Sequence, residues 1–254
     1  MDGIPAWLLA LTMDANGPGL DPTYHEGMEH DGMDHALGTM DEDMSTMHHP
    51  GALSAGGALG THPVSRDASG TAWQPDASVH GGVHAAAGDW SLMGHALLNG
   101  VHDHQDGPRG DDRTFVSGML MGSARRSLPS GDVLQRRAML SPDPLMGRTG
   151  LPLLLATGET ADGRTPLVDR QHPHDLFMEL SASYAHALSA RDSLFVYGGL
   201  PGEPAFGPPA FMHRLSIQDS PEPPIAHHWL DSTHITFGVL TLGWVHDAWK
   251  LEAS

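Results

Sequence analysis

The stretch Leu-Phe-Met-Glu-Leu-Ser-Ala-Ser-Tyr-Ala-His-Ala-Leu at positions 176–188 repeats with a period of two. Leu176, Met178, Leu180, Ala182 and Tyr184 fall on one face of an extended chain, and Glu179, Ser181 and Ser183 fall on the other. A segment built this way is a β-strand with one face against something apolar and the other against something polar. Similar period-two segments, separated by turn residues, occur at 89–101, 114–124, 133–140, 194–200 and 233–245, and another begins at Trp249. High glycine and proline counts (31 and 20) with 6% aromatics fit strands joined by irregular loops better than packed helices.

The connections between these segments alternate in length. Short turns are expected at 127–131, 189–192 and 246–248, whereas long loops are expected at 102–113, 141–175 and 201–232. In an up-and-down meander alternate connections share a rim, so the short turns gather at one end and the long loops at the other. Outer-membrane barrels have that asymmetry. The fold class expected for residues 71–254 is therefore all-β, an antiparallel up-and-down meander forming an outer-membrane β-barrel. Because Trp249, Leu251 and Ala253 still alternate with Lys250, Glu252 and Ser254, the barrel is expected to be incomplete, a piece of a longer protein. A soluble β-sandwich is the alternative, although loops this long are uncommon in one.

Residues 1–70 have another character. Between Asp14 and Pro63 there is no Lys or Arg, and Met, His and acids recur at His25, Met28, His30, Met33, His35, Met40, Met44, Met47, His48 and His49. Such a segment cannot bury enough apolar surface to offset its ordering entropy, so it is expected to be disordered when metal-free. Thioether sulfur is a soft ligand and imidazole a borderline one, which suits the tract to a copper ion; zinc would use the histidines and gain little from the methionines. With no cysteine in the chain, no thiolate site and no disulfide can form. The net charge of −18 repels nucleic acid and favours cations as partners. No run approaches the ~18 consecutive apolar residues of a spanning helix.

The repeated unit Met28-Glu29-His30-Asp31-Gly32 and Met33-Asp34-His35-Ala36-Leu37 resembles the Met/His-rich N-terminal region of outer-membrane copper-resistance proteins of the CopB/PcoB type. This resemblance covers about the first fifth of the chain and implies copper handling. The segments 160–180, 200–214 and 226–238 also resemble an uncharacterised family of bacterial envelope proteins associated with metal resistance. That likeness implies an envelope protein of metal resistance; with the barrel pattern and the ligand tract, the expected location is the outer membrane, with the periplasm as the alternative, and the expected partners are a metal ion, outer-membrane lipid and periplasmic copper proteins.

Histidines also gather where long loops meet strands. His172, His174 and Asp175 precede one strand, His213 lies within the third long loop, and His227, His228 and His234 lead into another strand. Meander topology places these at one rim, where they would form a second metal-ligand set. The same side chains could equally satisfy loop backbone groups, with Asp169 and Arg170 paired locally. A metallohydrolase of the His-x-His-x-Asp-His type lacks its Asp-His here, because Asp175 follows His174 directly. No nucleophile elbow, phosphate loop or dinucleotide fingerprint is present. The expectation is a non-enzymatic, copper-binding envelope protein of metal resistance or homeostasis. The alternatives are a soluble periplasmic metal-binding module and a metal-dependent hydrolase using the loop histidines.

Overall fold

The computed structural model describes residues 57–60, 62, 82–205, 235–247 and 249–254. Among them the only helical element is one 3-10 turn, Asp143–Met146. The strands are β1 (Val83–Ala87), β2 (Trp90–His104), β3 (Asp112–Ser127), β4 (Val133–Leu140), β5 (Leu151–Thr160), β6 (Pro166–Gln171), β7 (Phe177–Ala187), β8 (Asp192–Gly199), β9 (Val239–His246) and β10 (Trp249–Ala253). Eight of these form one sheet in the order β1-β2-β3-β4-β7-β8-β9-β10, every pair antiparallel, and β5 with β6 forms a separate hairpin. The all-β meander is thus confirmed. The sheet is open, with β1 and β10 at its edges, and its strands lie in one layer rather than in the two facing layers of a sandwich.

Turns β1–β2, β3–β4, β7–β8 and β9–β10 are short and share one rim, while the β4–β7 and β8–β9 connections share the other. The expected 102–113 loop is shorter than the sequence suggests. Pairs His102↔Thr114, Asp103↔Arg113 and His104↔Asp112 extend the β2–β3 ladder, so polar residues continue both strands past their apolar parts. Two elements depart from the sequence expectation. Strand β1, Val-His-Ala-Ala-Ala, carries little β-propensity of its own and forms by pairing along β2. Hairpin β5–β6 occupies part of the expected 141–175 loop, and two register shifts break the period that would have revealed it.

The sheet's two faces differ. Its outward face carries Leu98, Val116, Leu120, Leu180, Val196, Leu240 and Leu242, all exposed, the last two at 61% and 60%. The inward face buries Asn99, Ser117, Glu179, Ser181, Ser183, Ser193 and Thr241, with Glu179 only 4% exposed. Exposed aromatics sit near the ends of the outward face: Tyr184, Trp244 and Trp249 toward the short-turn rim, Phe177 and Phe237 toward the long-loop rim.

One expected face assignment is corrected. Met139 pairs with Glu179 but Leu140 pairs with Phe177, so β7 bulges at Met178. A bulge sets two residues against one and interrupts the alternation. Met178 therefore turns inward and is buried beside Glu179, whereas Leu180, Ala182 and Tyr184 remain outward as expected.

Three apolar clusters shield parts of the inward face. Leu97, Met119, Met139 and Met178 pack together with Met121 and Ile235. Val101 and Phe115 are covered by Met146 and Leu151 from the β4–β7 excursion. Ala185, Phe195 and Val245 are covered by Leu59 and Val133. Leu59 belongs to a segment assigned from sequence to the disordered region. Residues 57–60 instead lie on the sheet: Ser193 Oγ donates to Leu59 O at 2.7 Å and Arg125 Nη2 donates to Gly57 O at 2.9 Å. A Cβ at Gly60 would lie 2.8 Å from Val245 Cγ1, so a larger residue here would force the contact to shift.

Candidate functional site

At the long-loop rim, β6 ends at Gln171 and the chain continues as His172-Pro173-His174. Proline cannot donate to a ladder, so the strand stops here and both flanking histidines become available for side-chain contacts. Each is held by one carboxylate oxygen in the same way. The His172 backbone N–H and Nδ1–H both donate to Glu159 Oε2, at 3.0 and 2.7 Å. The His174 backbone N–H and Nδ1–H both donate to Asp143 Oδ2, at 3.1 and 2.8 Å. Asp143 is itself placed by its backbone N–H donating to Ser141 Oγ at 3.1 Å.

The two imidazole centroids lie 6.3 Å apart. Since a carboxylate accepts at each Nδ1, the neutral rings carry their lone pairs on Nε2, the tautomer that metal-ligating histidines with carboxylate partners adopt. The hydrogen bond to Glu159 raises the His172 pKa above the ordinary imidazole value and outweighs partial burial, with Asp175 and Asp143 adding smaller terms of the same sign. Asp175 itself is exposed. Among the described residues, no group of three or more His, Asp or Glu side chains is arranged to hold a metal ion. His213, His227, His228 and His234 lie outside the described residues, as do the tract ligands from His25 to His49.

The expected local pairing of Asp169 with Arg170 is not what forms. Arg109 reaches Asp169 with two parallel bonds, Nε to Oδ2 at 2.7 Å and Nη2 to Oδ1 at 2.6 Å, and Arg170 pairs with Asp111. Both interactions tie the β5–β6 hairpin to the β2–β3 loop, which is how the polar run 103–112 is used. Gln105 adds to this seam by donating to Pro152 O at 3.0 Å and accepting from Leu154 N–H at 2.9 Å. Arg109 beside Asp169 also holds that carboxyl below its ordinary value. The hairpin carries Glu159, and Glu159 holds His172.

The histidine–carboxylate contact recurs at the opposite rim, where sequence reasoning did not look. Asp132 accepts from Tyr184 Oη at 2.6 Å, from His186 Nδ1 at 2.9 Å and from the Ala187 backbone N–H at 2.9 Å, and these bonds hold its carboxyl far below the usual range. His246 Nδ1 donates to Asp192 Oδ1 at 2.6 Å. These two contacts fasten neighbouring turns.

On the inward face a polar cavity opens between β4, β7, β8, β9 and β10, lined by Gln135, Arg137, Glu179, Tyr197, Thr241 and Lys250 among others. Glu179 is its hub. It pairs with Arg137 at 3.0 Å and accepts from Ser181 Oγ at 2.6 Å and from Tyr197 Oη at 3.2 Å. Burial, reinforced by the Glu179 charge, pushes the Tyr197 phenol up to about 12, so it remains a donor at every physiological pH. Lys250 and Glu252 pair at 3.1 Å on the same face. The sequence marks Glu179, Ser181 and Ser183 as the polar side of β7 without assigning them a role. Their significance depends on partners from strands distant in sequence.

No protein-family model, no curated protein and no solved structure matches this chain.

Proposed function

We propose that this chain forms part of the wall of an outer-membrane β-barrel that handles a soft metal ion, copper above all, by binding rather than by catalysis. The observation that carries the location is the inversion of the sheet, with leucine and valine exposed outward and Glu179, Ser181, Ser183 and Thr241 buried inward. Water would disfavour such an outward face, and hydrocarbon would accept it. Strands β2, β3 and β7, with 15, 16 and 11 residues, reach the ~9–11 residues that a tilted strand needs to cross a bilayer. Aromatic residues near both ends of the outward face fit the girdles that sit at lipid headgroups.

Copper is supported by ligand chemistry. The tract from His25 to His49 offers thioether and imidazole donors and no thiolate, a set suited to Cu(I), with the imidazoles also serving Cu(II). The docked residues 57–60 lie on the inward face near the short-turn rim, which in outer-membrane barrels is the periplasmic one, so the tract would begin in the periplasm. His172 and His174, oriented by Glu159 and Asp143, stand at the other rim as a second pair of donors.

Fractionation of the full chain tests the location. It should require detergent for extraction and migrate differently in gels before and after heating; recovery in the aqueous fraction would remove the membrane reading. Titration with Cu(I) in a chelator buffer tests the metal. Wild-type protein should bind, and a variant with the tract methionines changed to Leu and the tract histidines to Ala should lose most of that uptake.

A further inference from the structure

The described strands contain five methionines: Met93 on β2, Met119 and Met121 on β3, Met139 on β4 and Met178 on β7. All five belong to the inward set. The outward positions of the same strands carry Leu92, Leu98, Val116, Leu120, Leu134, Leu140 and Leu180 among others, and Leu97 alone of their leucines faces inward. Leucine and methionine have nearly the same volume and exchange readily in cores, so space filling does not explain this partition. The thioether does distinguish the two residues, being polarisable and a soft metal donor.

The methionines also converge. Met119, Met139 and Met178 are buried together, with Met121 packed against them. Residues directly opposite in an antiparallel ladder share a face. The pairs His95↔Met121, Met121↔Met139 and Met139↔Glu179 therefore form one row across four neighbouring strands. Without the bulge at Met178 that side chain would point outward, so the irregularity in β7 is what adds a third buried sulfur, beside those of Met119 and Met139, to the cluster.

We infer that Met119, Met139 and Met178 form a thioether site for a soft monovalent ion, Cu(I) or Ag(I), on the inward wall, with Met121 and His95 at its margin. The inference rests on the soft-metal reading above and adds a second, structured station to it. Thioethers carry no proton to displace, so binding at these sulfurs releases none. A buried monocation needs a nearby negative charge. Glu179 stands opposite Met139 and next to Met178, although it is shared with Arg137, which also approaches Met121 Sδ at 3.9 Å. That contact leaves the other three sulfurs as the principal donors.

An independent observation lies one row along the strands. Asn99 and Ser117 are cross-strand partners on the inward face, both buried, and Asn99 Nδ2, Asn99 Oδ1 and Ser117 Oγ have no hydrogen-bond partner. Buried polar groups without partners are rare, and a bound water or ion is one of the few things that satisfies them. The next inward row is Leu97 and Met119, roughly 7 Å away by strand geometry. An ion's retained water, or an ion in transit, would supply the missing bonds.

The test uses full-length protein in detergent and Ag(I) as a redox-stable probe, with methionine methyl groups labelled for NMR. The tract variant described above should retain one equivalent of Ag(I), and binding should shift the methyl resonances of Met119, Met139 and Met178. Adding Met119→Leu, Met139→Leu and Met178→Leu should abolish that equivalent while leaving heat-modifiable migration unchanged. If the tract variant binds nothing while wild type binds, the wall site is overturned and the soft-metal reading survives. If the residual equivalent persists after the triple substitution, the assignment to these sulfurs is overturned. If wild type itself takes up no Ag(I), both readings fall together.

Discussion

The two faces of the eight-stranded sheet are made by one alternating pattern, yet different physics holds each. Outward, Leu180, Val196, Leu240 and Leu242 are exposed and depend on the medium around them. Inward, Glu179, Arg137, Ser181 and Tyr197 satisfy one another, and the apolar residues gather in three small clusters rather than one core. The outward face is therefore defined by its surroundings and the inward face by its internal pairing. Substitutions should separate them.

The largest effect is expected inward. Glu179→Ala leaves Arg137 without its buried partner and Ser181 and Tyr197 without their acceptor, and should destabilise by about 3–5 kcal/mol in urea unfolding of detergent-solubilised protein. Glu179→Gln, which keeps an acceptor, should recover part of that loss. Next comes Leu242→Arg on the outward face, expected to cost about 2–4 kcal/mol in a lipid host. The same charge introduced by Gln135→Arg, inside the polar cavity, should cost much less. A Leu242→Arg change within ~0.5 kcal/mol of wild type would mean that this face meets water.

Two groups at the long-loop rim should respond to pH in opposite directions. Asp169 has a lowered pKa in the folded chain, so its stabilising contribution is complete above the ordinary carboxylate value of 3.8 and is lost as pH falls through the lower folded value. Exchange protection of the Leu155 amide, which donates to Asp169, should drop in that acid range. His172 has a raised pKa, so its contribution is complete below 6.5 and declines as pH rises through the higher folded value. Its ring nitrogen shifts, followed by NMR, should titrate above 6.5, and Glu159→Gln should bring the midpoint down. The smallest effect is that of the metal-site substitutions. Met139→Leu alone should change unfolding stability by less than about 1.5 kcal/mol, because volume is conserved.

What could be read from sequence follows the range over which each interaction acts. Alternation is local, so the outward Leu180, Ala182 and Tyr184 and the sharing of rims between short and long connections were legible. Met178 was not, because a bulge is decided by pairing with β4. The hairpin β5–β6 was hidden by its register shifts and by Pro152 within its first strand. At the site, His172 and His174 were visible as His-Pro-His, but their carboxylates, Glu159 and Asp143, lie 13 and 31 residues away. Asp169 and Arg170 looked like each other's partners and instead reach 60 and 59 residues to Arg109 and Asp111. Arginines and acids this common offer many candidate pairs, and only the fold selects among them.

The short docked segment at 57–60 sets the working radius of everything before it. His49, the last candidate ligand of the tract, is eight residues from Gly57, so it can stray no more than about 28 Å from that anchor even at full extension. Confinement on this scale gives a local concentration in the millimolar range. Under the proposed copper capture, an ion held there would therefore meet the neighbouring wall as an intramolecular encounter, at a frequency set by chain length rather than by how much metal the surrounding fluid holds.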